Sequence, residues 1–444
     1  MTKNGNNPYD SILFEKLTDS LDSLPEKGTK RLVSGREAIP KKATAVIGMR
    51  RAGKTTYIHQ VRHERLEKGT YVSRLPYINF EDERLAGMEA AGLARLVEEY
   101  YRRYPSFRGK ETVVWCFDEI QLVAGWERFV RRLLDTEKVE IFITGSSAAL
   151  LSREIATSLR GRAWEVAIYP FSFREALYHS GHRENGDNKP LSSRERSMLE
   201  HQFLEYLVTG GFPEIQGADA ATRQQLLTDY VDVAILRDVV ERHRVTNVAG
   251  LRWLVRHILG NAASLFSVEK FFSSLKSQGF AISKDTVHQL LAFIEDSFLV
   301  RTVWMESSSE RQRMVNPRKV YPIDPGLIPV FDRQKRKNTG HALETVVMIE
   351  LERRKTELTY VRTPNGHEVD FLARIPGKGM ELIQVCADPG DPDTLAREVR
   401  ALEEAGRIHK KAVKRLLTLT RVAPRPAIPD DVIVQPVYEW LLQP

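Results

Sequence analysis

The run Gly48-Met49-Arg50-Arg51-Ala52-Gly53-Lys54-Thr55 is a complete G-x-x-x-x-G-K-[ST] sequence, bracketed by what such a loop needs. Ala43 to Ile47 before it reads as a buried strand, and Thr55-Thr56-Tyr57-Ile58 after it opens a stretch that reads as a helix. Glycines let the backbone close around a phosphate, while successive N–H groups and the helix N-terminus point at its charge. Strand, loop, helix and strand recur downstream, the pattern of a parallel sheet covered by helices. The segment predicts a nucleoside-triphosphate site formed by Gly48, Arg51, Ala52, Gly53, Lys54, Thr55 and Thr56. Lys54 is expected to reach the β- and γ-phosphates of ATP, and the Thr55 hydroxyl to bind the Mg²⁺ that bridges them.

Val113-Val114-Trp115-Cys116-Phe117-Asp118-Glu119 is a second apolar strand, ending in two carboxylates. Asp118 is the expected partner of the hydrated Mg²⁺, and Glu119 the base that polarises the attacking water. A third strand, Glu140 to Ser147, ends in small hydroxyl residues. Among them Ser146 either senses the γ-phosphate or caps a following helix. Tyr77 to Asp82 and Trp164 to Pro170 read as further strands, and between the last two lies Leu159-Arg160-Gly161-Arg162-Ala163. Arg160 or Arg162 is a candidate to stabilise transition-state charge, in its own subunit or a neighbour's.

These motifs, with Tyr169-Pro170-Phe171-Ser172-Phe173 and Thr209-Gly210-Gly211-Phe212-Pro213, resemble the prokaryotic AAA-type ATPases (AAA+ superfamily, akin to the archaeal ATPases) that carry a C-terminal DUF4143-type domain. The resemblance runs from about residue 30 to about residue 390. It implies ATP hydrolysis with Mg²⁺, and it places Pro213 in a glycine–proline turn of a helical lid near the nucleotide.

At 444 residues the chain is long enough for several domains. We expect an N-terminal extension (1–28), an α/β P-loop core with its parallel sheet between helices (29–181), a helical lid (196–262), a winged-helix domain (263–332) and an α+β nuclease-like domain (338–444). The lid reading rests on Leu204, Leu207, Leu226, Leu227, Tyr230, Val231, Ile235, Val239 and Val240, which recur at helical spacing. Two helices, 268–277 and 284–297, precede two strands, 299–304 and 319–323, which is the winged-helix outline. Lys284, His288, Arg311, Arg313, Arg318 and Lys319 are its candidate DNA contacts.

In the last segment, Glu368-Val369-Asp370 and Glu381-Leu382-Ile383-Gln384-Val385-Cys386 look like the core of the PD-(D/E)xK nucleases. Asp370 matches the first acid of that pattern, but Gln384 replaces the second and Cys386 stands in place of the lysine. Hard cations prefer charged oxygen ligands, so nuclease activity is not expected unless Glu344, Asp370 and Glu381 form an unorthodox metal set.

Arg397, Arg400, Arg407, Lys410, Lys411, Lys414 and Arg415 suit phosphates, as does a net charge of +7 with pI about 9.2. No apolar run approaches the roughly 18 residues that would span a bilayer, the first residues lack the apolar stretch of a secretory signal, and cytoplasm is the default. Cys116 and Cys386 read as buried hydrophobes.

The expected protein is an ATP-driven DNA motor or remodeller, acting on branched or junction DNA as a homo-oligomer such as a hexamer. A nucleotide-controlled protein-complex switch, with a protein partner, and an ATP-dependent nuclease are the alternatives.

Overall fold

The computed structural model describes residues 7–34, 38–145, 159, 161–182, 192–332, 338–422 and 428–443. Two compact units make up the chain, the first ending at Ile168 and the second starting at Tyr169.

The first unit is built on five parallel strands: β1 (Ala43–Ile47), β2 (Tyr77–Asn79), β3 (Val113–Asp118), β4 (Val139–Thr144) and β5 (Ala163–Ala167), in the order β2-β3-β4-β1-β5. All five occupy segments expected as strands. Every residue of β1 and β3 is buried, as continuous apolar runs in a parallel sheet require. Helices Lys54–Glu67, Ala90–Arg103 and Trp126–Thr136 make the crossovers. A further helix, Asp10–Asp22, packs on Ala90–Arg103 and β2. Its buried Leu13, Leu17 and Leu21 fall four residues apart, a helical stripe inside what reads by sequence as an extension.

The second unit opens with helices, among them Ser193–Thr209, Ala220–Val233 and Val248–Gly260, as the lid reading expects. Of the apolar residues behind that reading, Leu207, Leu227, Tyr230, Val231, Ile235 and Val239 are core, but Leu204 is 40% exposed. Helices Val268–Ser277 and Lys284–Asp296 follow β6 (Ser264–Phe266) and precede β7 (Val300–Met305) and β8 (Arg318–Pro322). Beyond them come β9 (Glu357–Arg362), β10 (Glu368–Ile375), β11 (Gly379–Cys386), β12 (Val413–Thr418) and β13 (Val432–Pro436). These eight strands form a single sheet, β13-β12-β11-β10-β9-β7-β8-β6. The join is parallel pairing of Trp304 with Thr359 and Met305 with Tyr360, so the sheet runs through the boundary expected near residues 332–338.

The turn Thr209 to Pro213 is tied down inside this unit. Gly211 N–H donates to Asp324 Oδ2 at 2.7 Å, its carbonyl accepts from Phe171 N–H, and Gly326 N–H donates to Asp324 Oδ1 at 2.9 Å. A Cβ on Gly211 would lie 2.1 Å from the Phe171 carbonyl oxygen, and one on Gly210 would lie 1.8 Å from Asp324 Oδ1. Close backbone approach therefore accounts for both glycines. Burial pushes the Asp324 carboxyl up to about 7, against the pull of its two N–H donors. Pro213 starts the short 3₁₀ turn Pro213–Ile215.

Candidate nucleotide site

The loop leaves the carboxyl end of β1 and closes where helix Lys54–Glu67 begins. Gly48 is held at φ 147°, and a Cβ there would sit 2.1 Å from the Ile168 carbonyl oxygen. Only glycine lets the loop pass so near β5. Gly53 caps the helix in the left-handed region (φ 96°). Arg51, exposed, is also at positive φ, while Ala52 is buried with its carbonyl accepting from Arg31 Nη1 at 2.6 Å. Thr56, the third residue of the helix, is exposed. Lys54 is buried, with its ammonium donating to the Gly48 and Met49 carbonyls at 3.1 and 3.2 Å.

Beside the loop, Asp118 ends β3 under three hydroxyls. Thr55 Oγ1 and Tyr77 OH donate to its Oδ2 at 2.8 and 2.7 Å, and Thr144 Oγ1 donates to its Oδ1. Thr144 Oγ1 also accepts from the Glu119 N–H at 2.9 Å, which ties the ends of β3 and β4 together. Glu119 follows in the left-handed region (φ 54°), and its Oε2 accepts from Gln121 Nε2. Burial raises its carboxyl above the ordinary range, while Lys54 and Gln121 act the other way. Such a carboxylate suits a general base. A hydroxyl and a carboxylate oxygen 2.8 Å apart, Thr55 and Asp118, are the hard donors a magnesium ion takes, so the set fits that ion.

Lys54, Thr55, Asp118 and Glu119 are thus brought together as the sequence suggests, with Gly48, Arg51, Ala52, Gly53 and Thr56 on the same loop and helix start. Ser146 and Arg160 lie outside the described residues. The hydroxyl that meets Asp118 from β4 is Thr144, at the strand's end. Arg162 requires a correction. Ala43 pairs with Ala163 and Ile47 with Ala167, so Arg162 precedes the amino end of β5, a strand's length from the loop, about 16 Å at roughly 3.3 Å per residue. Its guanidinium is engaged by Asp135, and it has no access to a phosphate on its own chain's loop. Thr144, Tyr77 and Gln121 stand in sequence inside recognisable strands and motifs but without a role, because a lone hydroxyl or amide carries no spacing signal.

An uncharacterized protein of Methanocaldococcus jannaschii, MJ1544, is 36% identical over 403 residues, which are 89% of this chain and 86% of that protein. This chain belongs to the same family. An uncharacterized protein of Haemophilus influenzae is 29% identical over 90% of the chain and 94% of its own length. Residues 40–177 match the family model AAA_14, an AAA domain, so this MJ1544-family member carries an AAA-type P-loop domain. Residues 200–337 match a domain of unknown function, DUF8612, which gives no support to the expected DUF4143 domain. Among solved structures, the match to the Walker-type ATPase PABY2304 of Pyrococcus abyssi covers 72% of this chain and 94% of that one at 16% identity, with a TM-score of 0.40.

A second charged cluster of this family member lies in its eight-stranded sheet. Lys319, on β8, reaches Glu344 Oε1 at 2.9 Å and both Glu368 Oε1 and Asp370 Oδ1 at 2.8 Å. Tyr321 OH donates to Glu344 Oε1 at 2.6 Å, and Gln384 Nε2 donates to Glu398 Oε2 at 2.6 Å. Burial opposes the Lys319 charge, but Asp370 and Glu344 outweigh it and hold the ammonium well above its usual range. The set of Glu344, Asp370 and Glu381 is corrected here. Phe371 pairs with Ile383, so Asp370 faces Gln384, whereas Glu381 is three residues from Gln384 on the opposite face, paired with Arg415 at 2.9 Å. No group of three or more potential ligands able to hold a metal was found among the described residues.

Proposed function

We propose that the chain hydrolyses ATP at the Gly48–Thr55 loop and couples that hydrolysis to DNA, as a motor or remodeller of branched structures. The observation that carries the ATPase reading is the hydrogen-bonded set of Thr55, Asp118, Thr144 and Glu119 beside the phosphate loop. In this reading Lys54 exchanges two loop carbonyls for the β- and γ-phosphates, and Glu119 takes a proton from the attacking water. Mg²⁺, held by Thr55 and Asp118, would neutralise charge on the phosphate oxygens. The transition-state role stays with Arg160, or with Arg162 acting on a neighbouring copy in a homo-oligomer, since Arg162 stands at the far end of its own sheet. Pro213 keeps a place near the nucleotide by resemblance alone.

The proposed organisation is an ATPase core over 29–181, a lid over 196–262, and a winged helix over 263–332 that shares its sheet with a nuclease-like but inactive part over 338–444. Exposed Arg400, Arg407, Lys410 and Lys411 and the net charge of +7 support a polyanionic partner. The test is ATP turnover with single-stranded, duplex, forked and four-way-junction DNA at two salt concentrations, with each DNA run on a gel afterwards. Salt-sensitive stimulation by a branched DNA whose strands stay intact is expected. Neither stimulation nor binding by any of them would remove the DNA part of the reading.

One observation favours a second reading, a nucleotide-controlled protein switch. Several candidate DNA contacts are already neutralised: Lys284 by Glu269, Arg313 by Glu310, Lys414 by Asp431 and Arg415 by Glu381, while Lys319 is buried. Turnover indifferent to DNA is what that reading expects.

A further inference from the structure

Gln121 lies two residues beyond Glu119, in the 3₁₀ turn Ile120–Leu122 that follows β3. Its Nε2 donates to Glu119 Oε2 at 2.5 Å, whereas its Oε1 is buried with no hydrogen-bond donor among the described residues. The two facts are linked. An ionised carboxylate only accepts hydrogen bonds, so the amide must present nitrogen to Glu119, and turning it over would set oxygen against oxygen. Holding Glu119 therefore leaves a buried carbonyl that no described residue satisfies, an arrangement that sheltered positions seldom tolerate without a function. Glu119 is itself held against local preference, at φ 54° in a non-glycine residue, with its N–H fixed by Thr144. Backbone and carboxylate of this one residue are thus pinned from two sides, by Thr144 at the amide and Gln121 at the side chain.

We infer that Gln121 is the positioning residue of the hydrolytic base: its amide fixes the Glu119 carboxylate so that one oxygen stays committed to Gln121 while the other is left to accept the proton of the attacking water. The inference rests on the ATPase reading above. A base that needs a third group to orient it is a recurring arrangement in activated-water and nucleophile chemistry. Gln121 supplies no proton and leaves no charge behind; it acts through Glu119 alone.

The experiment is a double-mutant cycle. Gln121→Met keeps the length of the side chain and removes the amide. It is expected to lower kcat for ATP roughly tenfold or more, part of what a general base contributes, with KM and the unfolding midpoint unchanged. In a Glu119→Gln background, measured in single turnover, the same replacement is expected to cost nothing further, because the carboxylate it orients is gone. An unchanged or increased kcat in Gln121→Met, or an equal loss in both backgrounds, overturns the inference. If Gln121→Met alters the unfolding midpoint, Gln121→Ala is put through the same cycle and judged by the same comparison. A wild-type chain with no turnover refutes the ATPase reading itself, so the two failures are distinguishable.

Discussion

Glu119→Gln is expected to lower steady-state phosphate release from ATP by about 10²–10⁴-fold while nucleotide binding survives. The amide is nearly the size of the carboxylate, so the Thr144 contact to the backbone N–H of residue 119 is retained and the loop is untouched. What disappears is the acceptor for the proton of water. The measurement is a titration with a fluorescent ATP analogue beside a phosphate-release assay. Turnover at the wild-type rate would show that Glu119 is not the base, whatever else the loop does.

Lys319→Met is expected to cost about 3–5 kcal/mol of stability, the usual effect of removing one partner from a buried charge set. The ammonium answers three carboxylates, and its side chain is only 4% exposed. Methionine fills the space but leaves Glu344 and Asp370 facing each other. Burial first, and Asp370 second, already raise the Glu344 carboxyl to about 7 with the lysine present. A carboxyl raised in the folded state binds more protons there than when unfolded, so its contribution to stability falls as pH rises between the unfolded value and the folded one. Without Lys319 the Glu344 value rises further. The deficit should therefore be smaller at pH 5 than at pH 8 when unfolding is followed in denaturant. An equal deficit at both, or none, would mean that the cluster does not stabilise the fold through charge.

The first unit was legible because its elements speak in local code. Ala43–Ile47 and Val113–Asp118 are unbroken apolar runs, and the loop's glycines mark where the chain must turn tightly. Those signals also placed Lys54, Thr55, Asp118 and Glu119. Sequence distance does not show which end of a strand Arg162 occupies; the pairing of Ala43 with Ala163 does, and it rules Arg162 out for the loop of its own chain alone. Lys319 reads by sequence as a DNA contact because nothing in Arg318-Lys319-Val320 tells that three acids from later segments converge on it. The same holds for Gly211, whose hydrogen bond to Asp324 spans more than a hundred residues. Long-range closure of this kind has no periodic trace.

The most direct test of the nucleotide site is phosphate release from ATP with Mg²⁺ by the wild-type chain and by Lys54→Ala, at equal concentration and with folding checked by circular dichroism. Turnover by the wild type and its loss in a folded Lys54→Ala protein is the predicted result. No turnover by the wild type, or equal turnover by both, would contradict the account.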